Sequence, residues 1–247
     1  MILPQNAFRH FIVLWCLYLF AGSARADISE DYRLTAFPYY TFSNKITVFA
    51  QLGYGLNRNG HAQTYNLLSP GAYFTANPWL QLWGGLNDRY NQNNDKADTF
   101  VFRPFAGPRL SLPNRWKWNL YNFTQYEYRA TKNFDTHDWS SDNRIRSRFE
   151  ADLPLSTVEH TWQPRTWYAL ASVEPFYDFN QSEVSQLRVS GGIGYVFSKY
   201  AQLEFVYYAK FRQQNGGGLE YSENIFRLNL KISLNREGDV QNAAAIR

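Results

Sequence analysis

The sequence predicts an all-β protein: a transmembrane, antiparallel, up-and-down β-barrel of about ten strands, with twelve as the alternative, behind a cleaved signal peptide. Three observations support this. The chain begins with an export signal, apolar and polar residues alternate with a period of two, and aromatic residues make up 18% of a chain whose mean hydropathy is -0.49. An outer-membrane barrel needs this combination, because lipid-facing apolar residues alternate with polar lumen residues and aromatic girdles mark both interfaces. A soluble periplasmic β-sandwich is the alternative all-β structure.

The composition excludes several other classes of protein. The negative mean hydropathy argues against a bundle of membrane helices. A single cysteine rules out a disulfide scaffold and every multi-cysteine metal site. Without the signal segment the chain has 23 basic against 21 acidic residues, so we expect no nucleic-acid partner. No residue pattern points to a cofactor or a metal.

Residues 1–26 are typical of a cleaved signal peptide. Arg9 precedes an apolar run over residues 11–22, and a stretch of small residues ends at Ala26. The run is shorter than the about 20 residues that a helix needs to cross a bilayer. An uncleaved anchor is the alternative. We therefore expect an exported protein located in the bacterial outer membrane.

Ten strands follow in chain order. In the last one, apolar residues from Phe226 to Leu234 alternate with polar ones, and only a strand puts these two sets on opposite faces. Most segments have ten residues or more, near the about 9–11 of a tilted membrane strand. Glycines at 191, 192 and 194 lie inside one segment and indicate close packing of the barrel wall. The strands are predicted over residues 46–56, 63–75, 79–90, 98–110, 116–130, 143–153, 166–179, 184–198, 203–212 and 226–234.

The segments on either side of the barrel (residues 45–234) are less regular. Residues 27–44 contain an extended apolar stretch that is either an N-terminal arm or a first strand. Bacterial single-chain barrels have an even number of strands, so an eleventh strand would require a twelfth. With ten strands, both ends of the barrel face the periplasm. Residues 235–247 form a polar tail that we expect to be unstructured.

The connections between strands alternate in length. Such alternation is typical of short periplasmic turns and longer extracellular loops. Residues 155–165 are an exception, because this longer connection falls on the periplasmic side. The short connections cover residues 76–78, 113–115 and 198–200, and the long polar ones cover residues 91–97, 131–142 and 213–223.

Five segments share a pattern with a known family. They cover residues 102–104 (FRP), 125–129 (QYEYR), 143–150 (NRIRSRFE), 172–176 (SVEPF) and 186–195 (QLRVSGGIGY). In this order they resemble a widespread family of bacterial outer-membrane barrels known only as a domain of unknown function. The likeness covers most of residues 45–234. It implies the barrel and its location, and it implies no established activity.

Alternation also predicts which charged residues point into the lumen. Eleven of them are basic and five acidic, although the mature chain, without the signal segment, is nearly balanced. The basic residues are Arg103, Arg109, Arg129, Arg144, Arg146, Arg148, Arg188, Lys210, Arg212, Arg227 and Lys231. The acidic residues are Glu127, Glu150, Asp152, Glu174 and Glu204.

Two functions fit such a lumen. Arginines suit carboxylate and phosphate groups, so the barrel could be a narrow, anion-preferring channel or porin for small anionic solutes or oligosaccharides. Alternatively the charges pair across strands in a closed barrel, which serves a structural role or docks an envelope protein partner in envelope assembly or polysaccharide export. Inward Trp83, Tyr121 and Phe123 fill the lumen or stack on a carbohydrate. In either case the outer face contacts outer-membrane lipid.

An outer-membrane hydrolase is the third possibility. His137, Asp138, Ser140, Ser141 and Asp142 combine base, acid and nucleophile types in one predicted loop. Catalytic groups are normally positioned by rigid elements, so we expect a solvated loop and no enzyme. The other two histidines of the mature chain, at positions 61 and 160, lie in separate connections.

Overall fold

The computed structural model describes residues 28–57, 62–94, 96–113, 118–155, 163–213 and 218–235. The predicted signal peptide, and the predicted tail beyond residue 235, lie outside these ranges. The described residues form one closed barrel of eleven strands. The strands are β1 (Ser29–Thr41), β2 (Ile46–Asn57), β3 (Ala62–Asn77), β4 (Leu80–Asn93), β5 (Thr99–Leu112), β6 (Asn119–Asn133), β7 (Trp139–Pro154), β8 (Thr166–Asp178), β9 (Glu183–Ser198), β10 (Ala201–Gln213) and β11 (Leu219–Ser233).

The strands follow one another around the barrel, each antiparallel to the next, and β1 closes the sheet by pairing with β11 in parallel. The predicted barrel is confirmed, but its count is eleven rather than ten or twelve. The extra strand is β1. The sequence pattern left two alternatives for this segment, an N-terminal arm or a first strand. With an odd number of alternating strands the first and the last run in the same direction, so the closing pair is parallel.

The two ends of the barrel are distinct. At the upper rim the odd-numbered strands begin and the even-numbered strands end, and at the lower rim the even-numbered strands begin and the odd-numbered strands end. β1 begins at the upper rim and β11 ends at the lower rim. The prediction that both ends of the barrel lie on one side is therefore wrong, because the eleventh strand reverses the direction of the chain once more.

The predicted contrast between long and short connections is also wrong. Upper-rim connections have only four or five residues, since β7 already begins at Trp139 and β11 at Leu219. The ends of these strands are rich in polar residues and show no clear alternation of apolar and polar side chains, so the sequence pattern does not indicate them. In β11 the register against β10 shifts between Lys210 and Phe211, and Ser222 is skipped. Such a bulge reverses the alternation and conceals the start of the strand.

Large apolar side chains point outward along every strand. Leu34 of β1 is 54% exposed, and Phe149 of β7 and Trp167 of β8 are half exposed. The inner face instead carries buried tyrosines and buried charged groups such as Glu127 and Lys231. The barrel is thus apolar outside and polar inside. Within the ranges given above, no helix is long and apolar enough to cross a membrane.

A buried tyrosine shows why one wall glycine is needed. Tyr168 has no exposed surface, and its hydroxyl donates to Glu204 Oε1 at 2.6 Å while Gln202 Nε2 donates to that hydroxyl at 2.5 Å. Its register partner is Gly194, where an added Cβ would overlap the tyrosine ring. The glycine therefore lets a large ring lie flat against the neighbouring strand.

We predict that Gly194→Ala lowers the free energy of unfolding by about 1–3 kcal/mol, because the methyl group overpacks this site. The measurement is urea unfolding of the micelle-folded barrel, followed by tryptophan fluorescence. Gly218→Ala is the matched control, since nothing lies within 4 Å of a Cβ built there. Equal stability of the two variants would contradict the prediction.

Candidate functional site

The middle of the barrel contains a cavity of about 140 Å³ that is bordered by residues from all eleven strands. Only the interior of a closed barrel can be bordered in this way, so the cavity lies in the lumen. Seven arginines and two glutamates line it. They are Arg33, Arg89, Arg103, Arg146, Arg148, Arg188, Arg227, Glu127 and Glu174.

The two glutamates belong to a chain of ion pairs between neighbouring strands. Buried Glu127 pairs with Arg144 and, at 3.1 Å, with Arg146 Nε. Arg146 also donates to Glu174 at 3.2 Å, and Glu174 lies 3.6 Å from Arg188 Nη1. The two carboxylates are therefore shared by three arginines and are fully engaged.

The lower half of the lumen is filled by side chains. Tyr73 and Trp83 stack 5.8 Å apart, and Phe123 meets Trp83 edge to face at 6.1 Å. Arg109 donates to Gln81 at 2.6 Å and lies over the Tyr121 ring at 4.2 Å and the Phe123 ring at 5.0 Å. These rings pack against one another and against the guanidinium group, and so fill the part of the lumen beside β3, β4 and β6.

A second ionic cluster lies beside this aromatic layer. Glu204 accepts from Lys231 Nζ at 2.9 Å and from Asn229 at 3.3 Å, and Arg148 Nε lies 3.4 Å from Glu150. A cavity of about 50 Å³ separates the two pairs. Asp152 is fully buried on the same inner face. The charges of the lower half are therefore enclosed.

The upper rim is wider and more open. A vestibule of about 430 Å³ is lined there by Arg129, Arg144, Asp178, Gln181, Ser185, Gln186, Arg212 and Gln213. Arg129 holds Asp142 through two hydrogen bonds of 2.5 and 2.6 Å. Lys210 pairs with Glu223, from which Arg212 lies 3.7 Å away. The vestibule lining is basic, since three arginines face a single acid, Asp178, which accepts a hydrogen bond from the backbone N–H of Asn180.

Comparison with protein-family models matches residues 34–221, which run from β1 into β11. The chain belongs to DUF2490. This is a family of proteins of unknown function. No curated protein matches the chain. The matched range contains Arg89 and Arg103 and stops just short of Arg33 and Arg227.

All sixteen charged residues that the sequence placed in the lumen lie on the inner face of the DUF2490 barrel. Sequence reasoning missed two arginines of the central cavity, Arg33 and Arg89. The signal for Arg89 was available, because it lies six residues after inward Trp83 and therefore on the same face. Four lumen acids were missed as well: three lie in segments interpreted as loop or arm, and Asp178 lies in the predicted strand 166–179, on the same face as Glu174. They are Asp31, Asp142, Asp178 and Glu223.

Three of the cavity arginines form no ion pair with any described residue: Arg89, Arg103 and Arg227. The Nε atom of each is buried without an acceptor among these residues. Arg103 donates to the side-chain oxygen of Asn87, and the Arg227 guanidinium lies 5.4 Å from the centre of the Tyr208 ring. The positive charge of the cavity is therefore concentrated on these three groups.

The proposed hydrolase cluster is dispersed between a turn and a strand. Ser140 and Ser141 belong to β7, and Asp142 is held by Arg129. Across the ranges that the structure covers, no hydrogen bond joins the His137 imidazole to either serine. Nor do three or more His, Cys, Asp or Glu side chains of these ranges come together as metal ligands. His61 and His160 lie outside the described residues.

We predict that Glu127→Gln lowers the free energy of unfolding of the DUF2490 barrel by about 3–5 kcal/mol, because buried Arg144 loses its ion-pair partner and half-buried Arg146 loses one of its two partners. Urea unfolding in micelles measures this. Asp142→Asn is the control, since it releases the more exposed Arg129 and costs less than about 1 kcal/mol.

Adding Arg144→Gln to Glu127→Gln should restore part of the loss, because it removes the buried charge that Glu127→Gln leaves uncompensated, whereas Arg146 still pairs with Glu174. An unchanged unfolding midpoint for Glu127→Gln alone would show that the buried network contributes nothing to stability.

Proposed function

We propose that this protein is an outer-membrane β-barrel whose lumen passes small anions. The observation that supports this is the central cavity, where seven arginines face two glutamates and every strand contributes to the wall. Basic rings in a pore attract anions and repel cations. Because the two glutamates offset only part of the charge of the seven arginines, the net charge of the cavity lining is positive.

The outer surface supports the proposed location. Apolar side chains such as Leu34, Phe149 and Ile193 are 54%, 50% and 41% exposed, and every strand contributes others. A soluble protein rarely exposes so large a contiguous apolar surface. The strands have 12 to 16 residues, more than the about 9–11 that a tilted strand needs to cross a bilayer.

The proposed path runs from the vestibule through the central cavity to the lower cavity. The Arg144–Glu127 pair separates the vestibule from the central cavity, and Arg148 with Tyr208 borders both inner cavities. Side chains rather than backbone form these constrictions. An ion therefore passes by displacing guanidinium and phenol groups, and we expect a small conductance.

A closed barrel that docks an envelope partner is the second candidate. The layer of Tyr73, Trp83, Tyr121 and Phe123 favours it, because these rings fill the lower half of the lumen. We propose no catalytic role, since Asp142 of the candidate cluster is occupied by Arg129. Conductance separates the two candidates.

In a planar bilayer with a KCl gradient, we expect the refolded mature protein to give a steady current whose reversal potential shows anion preference. Arg103→Glu should shift that potential toward cation preference, because it reverses a charge in the cavity wall. Lys45→Glu makes the same charge change on the exposed lower-rim turn and should leave the potential unchanged. A folded barrel without current would refute the channel and favour the closed barrel.

The location has its own test. Ile193 faces outward in β9, so Ile193→Arg should destabilise the bilayer-inserted barrel by about 2–4 kcal/mol. Urea unfolding from lipid vesicles measures this. Phe42→Arg, on a 66% exposed lower-rim residue, is the control and should cost about 0–1 kcal/mol. If Ile193→Arg is also neutral, as at a water-exposed site, the lipid-facing surface is refuted.

A further inference from the structure

We propose that the central cavity binds the phosphate group of a small solute, held by Arg89, Arg103 and Arg227. This inference rests on the proposed function, since it names the class of anion that the same lumen takes. At about 140 Å³ the cavity lies below the roughly 300–1,000 Å³ of pockets for drug-sized molecules. A free phosphate or a small phosphate ester therefore fits, and an oligosaccharide does not.

The three arginines come from three different strands of the closed barrel and line the same cavity. Arg89 lies on β4 and Arg103 on neighbouring β5, while Arg227 lies on β11 directly beside Arg33 of β1. Arg33 is neutralised by Asp31, but Arg227 has no acidic partner among the described residues. Like charges beside each other in a sheet repel. An anion between them would remove this repulsion.

Arg89 is the most exceptional of the three. Its side chain makes no hydrogen bond to any part of the chain that the structure describes, and it is repelled by Arg33, Arg103, Arg188 and Arg227. An ion without a counter-charge in a low-dielectric interior costs free energy. A negatively charged ligand would compensate the charge of Arg89, and its binding is therefore favourable at this point.

The chemistry of the donors selects the ligand. Each guanidinium presents a planar fork of N–H groups, which matches two oxygens of a phosphate or a carboxylate. A phosphate ester has a charge of about −1.5 to −2 near neutral pH and three acceptor oxygens, so it can serve more than one fork. Chloride offers no paired oxygens, and a monocarboxylate brings only one charge. Three unpaired arginines therefore favour phosphate.

The carboxylates of the wall do not oppose such a ligand. Glu127 and Glu174 are held by Arg144, Arg146 and Arg188, so their charge is already compensated. The neutral amide of Gln51 adds a donor to the lining, while the Ser69 hydroxyl donates to Asp88 and the Gln125 amide donates to Glu127. The ligand thus meets a surface of donors.

Equilibrium dialysis with radiolabelled inorganic phosphate tests the site. The mature protein is folded into micelles in the presence of phosphate, so that entry into the lumen does not limit binding, and is dialysed at constant ionic strength in chloride. We expect one saturable phosphate per barrel. Each of Arg89→Gln, Arg103→Gln and Arg227→Gln should weaken binding about tenfold or more, because each removes a charge-assisted interaction.

Arg129→Gln is the matched control. This arginine is held by Asp142 at the upper rim, so its loss should leave phosphate affinity unchanged. Competition with glycerol phosphate distinguishes a phosphate ester from free phosphate as the ligand. If glycerol phosphate displaces the radiolabelled phosphate more strongly than unlabelled phosphate does, the site is assigned to an ester. If it displaces the label more weakly, the site is assigned to the free ion. Without phosphate, Arg89→Gln should unfold at the same or higher urea concentration than the parent, whereas a purely structural arginine would lower it.

Absence of saturable phosphate binding, or equal binding by a variant that combines Arg89→Gln, Arg103→Gln and Arg227→Gln, would overturn the site. The result is independent of conductance. A barrel that binds phosphate but passes no current keeps the site and refutes the channel. A barrel that conducts anions but binds no phosphate keeps the channel and refutes the site.

Discussion

Closure of the sheet is the constraint on which the rest of this structure depends. The edge strand of an open sheet exposes unpaired backbone N–H and C=O groups. Lipid cannot satisfy these groups, and at a water-exposed surface they pair readily with other chains. Here β1 supplies the last pairing, from Ser29 beside Glu223 to Tyr39 beside Ser233. Without this parallel seam the lumen has no continuous wall. The cavity, the ion pairs across it and the aromatic layer below it all require that wall.

Closure also explains why the interior is so strongly charged. Inner-face residues of the strands must be polar or pack against one another, and this protein does both. Aromatic rings occupy the lower half, and ion pairs such as Glu127 with Arg144 occupy the middle. Buried ion pairs gain little stability over apolar packing, because desolvation offsets attraction. A lumen with more arginines than acids is therefore better explained by an anionic ligand than by stability, and this is the basis of both proposals.

Part of the fold could be predicted because strand faces are local. Alternation from Phe226 to Leu234 needs no partner to be recognised, and the predicted bounds of β8 and β9 agree with the structure to within one residue. The start of β11 could not be predicted, since the bulge at Ser222 interrupts the alternation. The role of residues 29–41 could not be predicted either. An extended apolar segment is compatible with an arm or a strand until a partner edge is available.

The sequence by itself determined the barrel, the two faces of its wall and the excess of basic residues inside, because each of these follows from a period of two along the chain. Only the tertiary structure decided which charges meet. Arg33 lies beside Arg227 although 194 positions separate them, and Arg89 has no acidic partner among the described residues while Arg144 and Arg146 share one. Those relations depend on strand order and register. A one-residue slip of any pair would have changed them without altering the pattern of either strand.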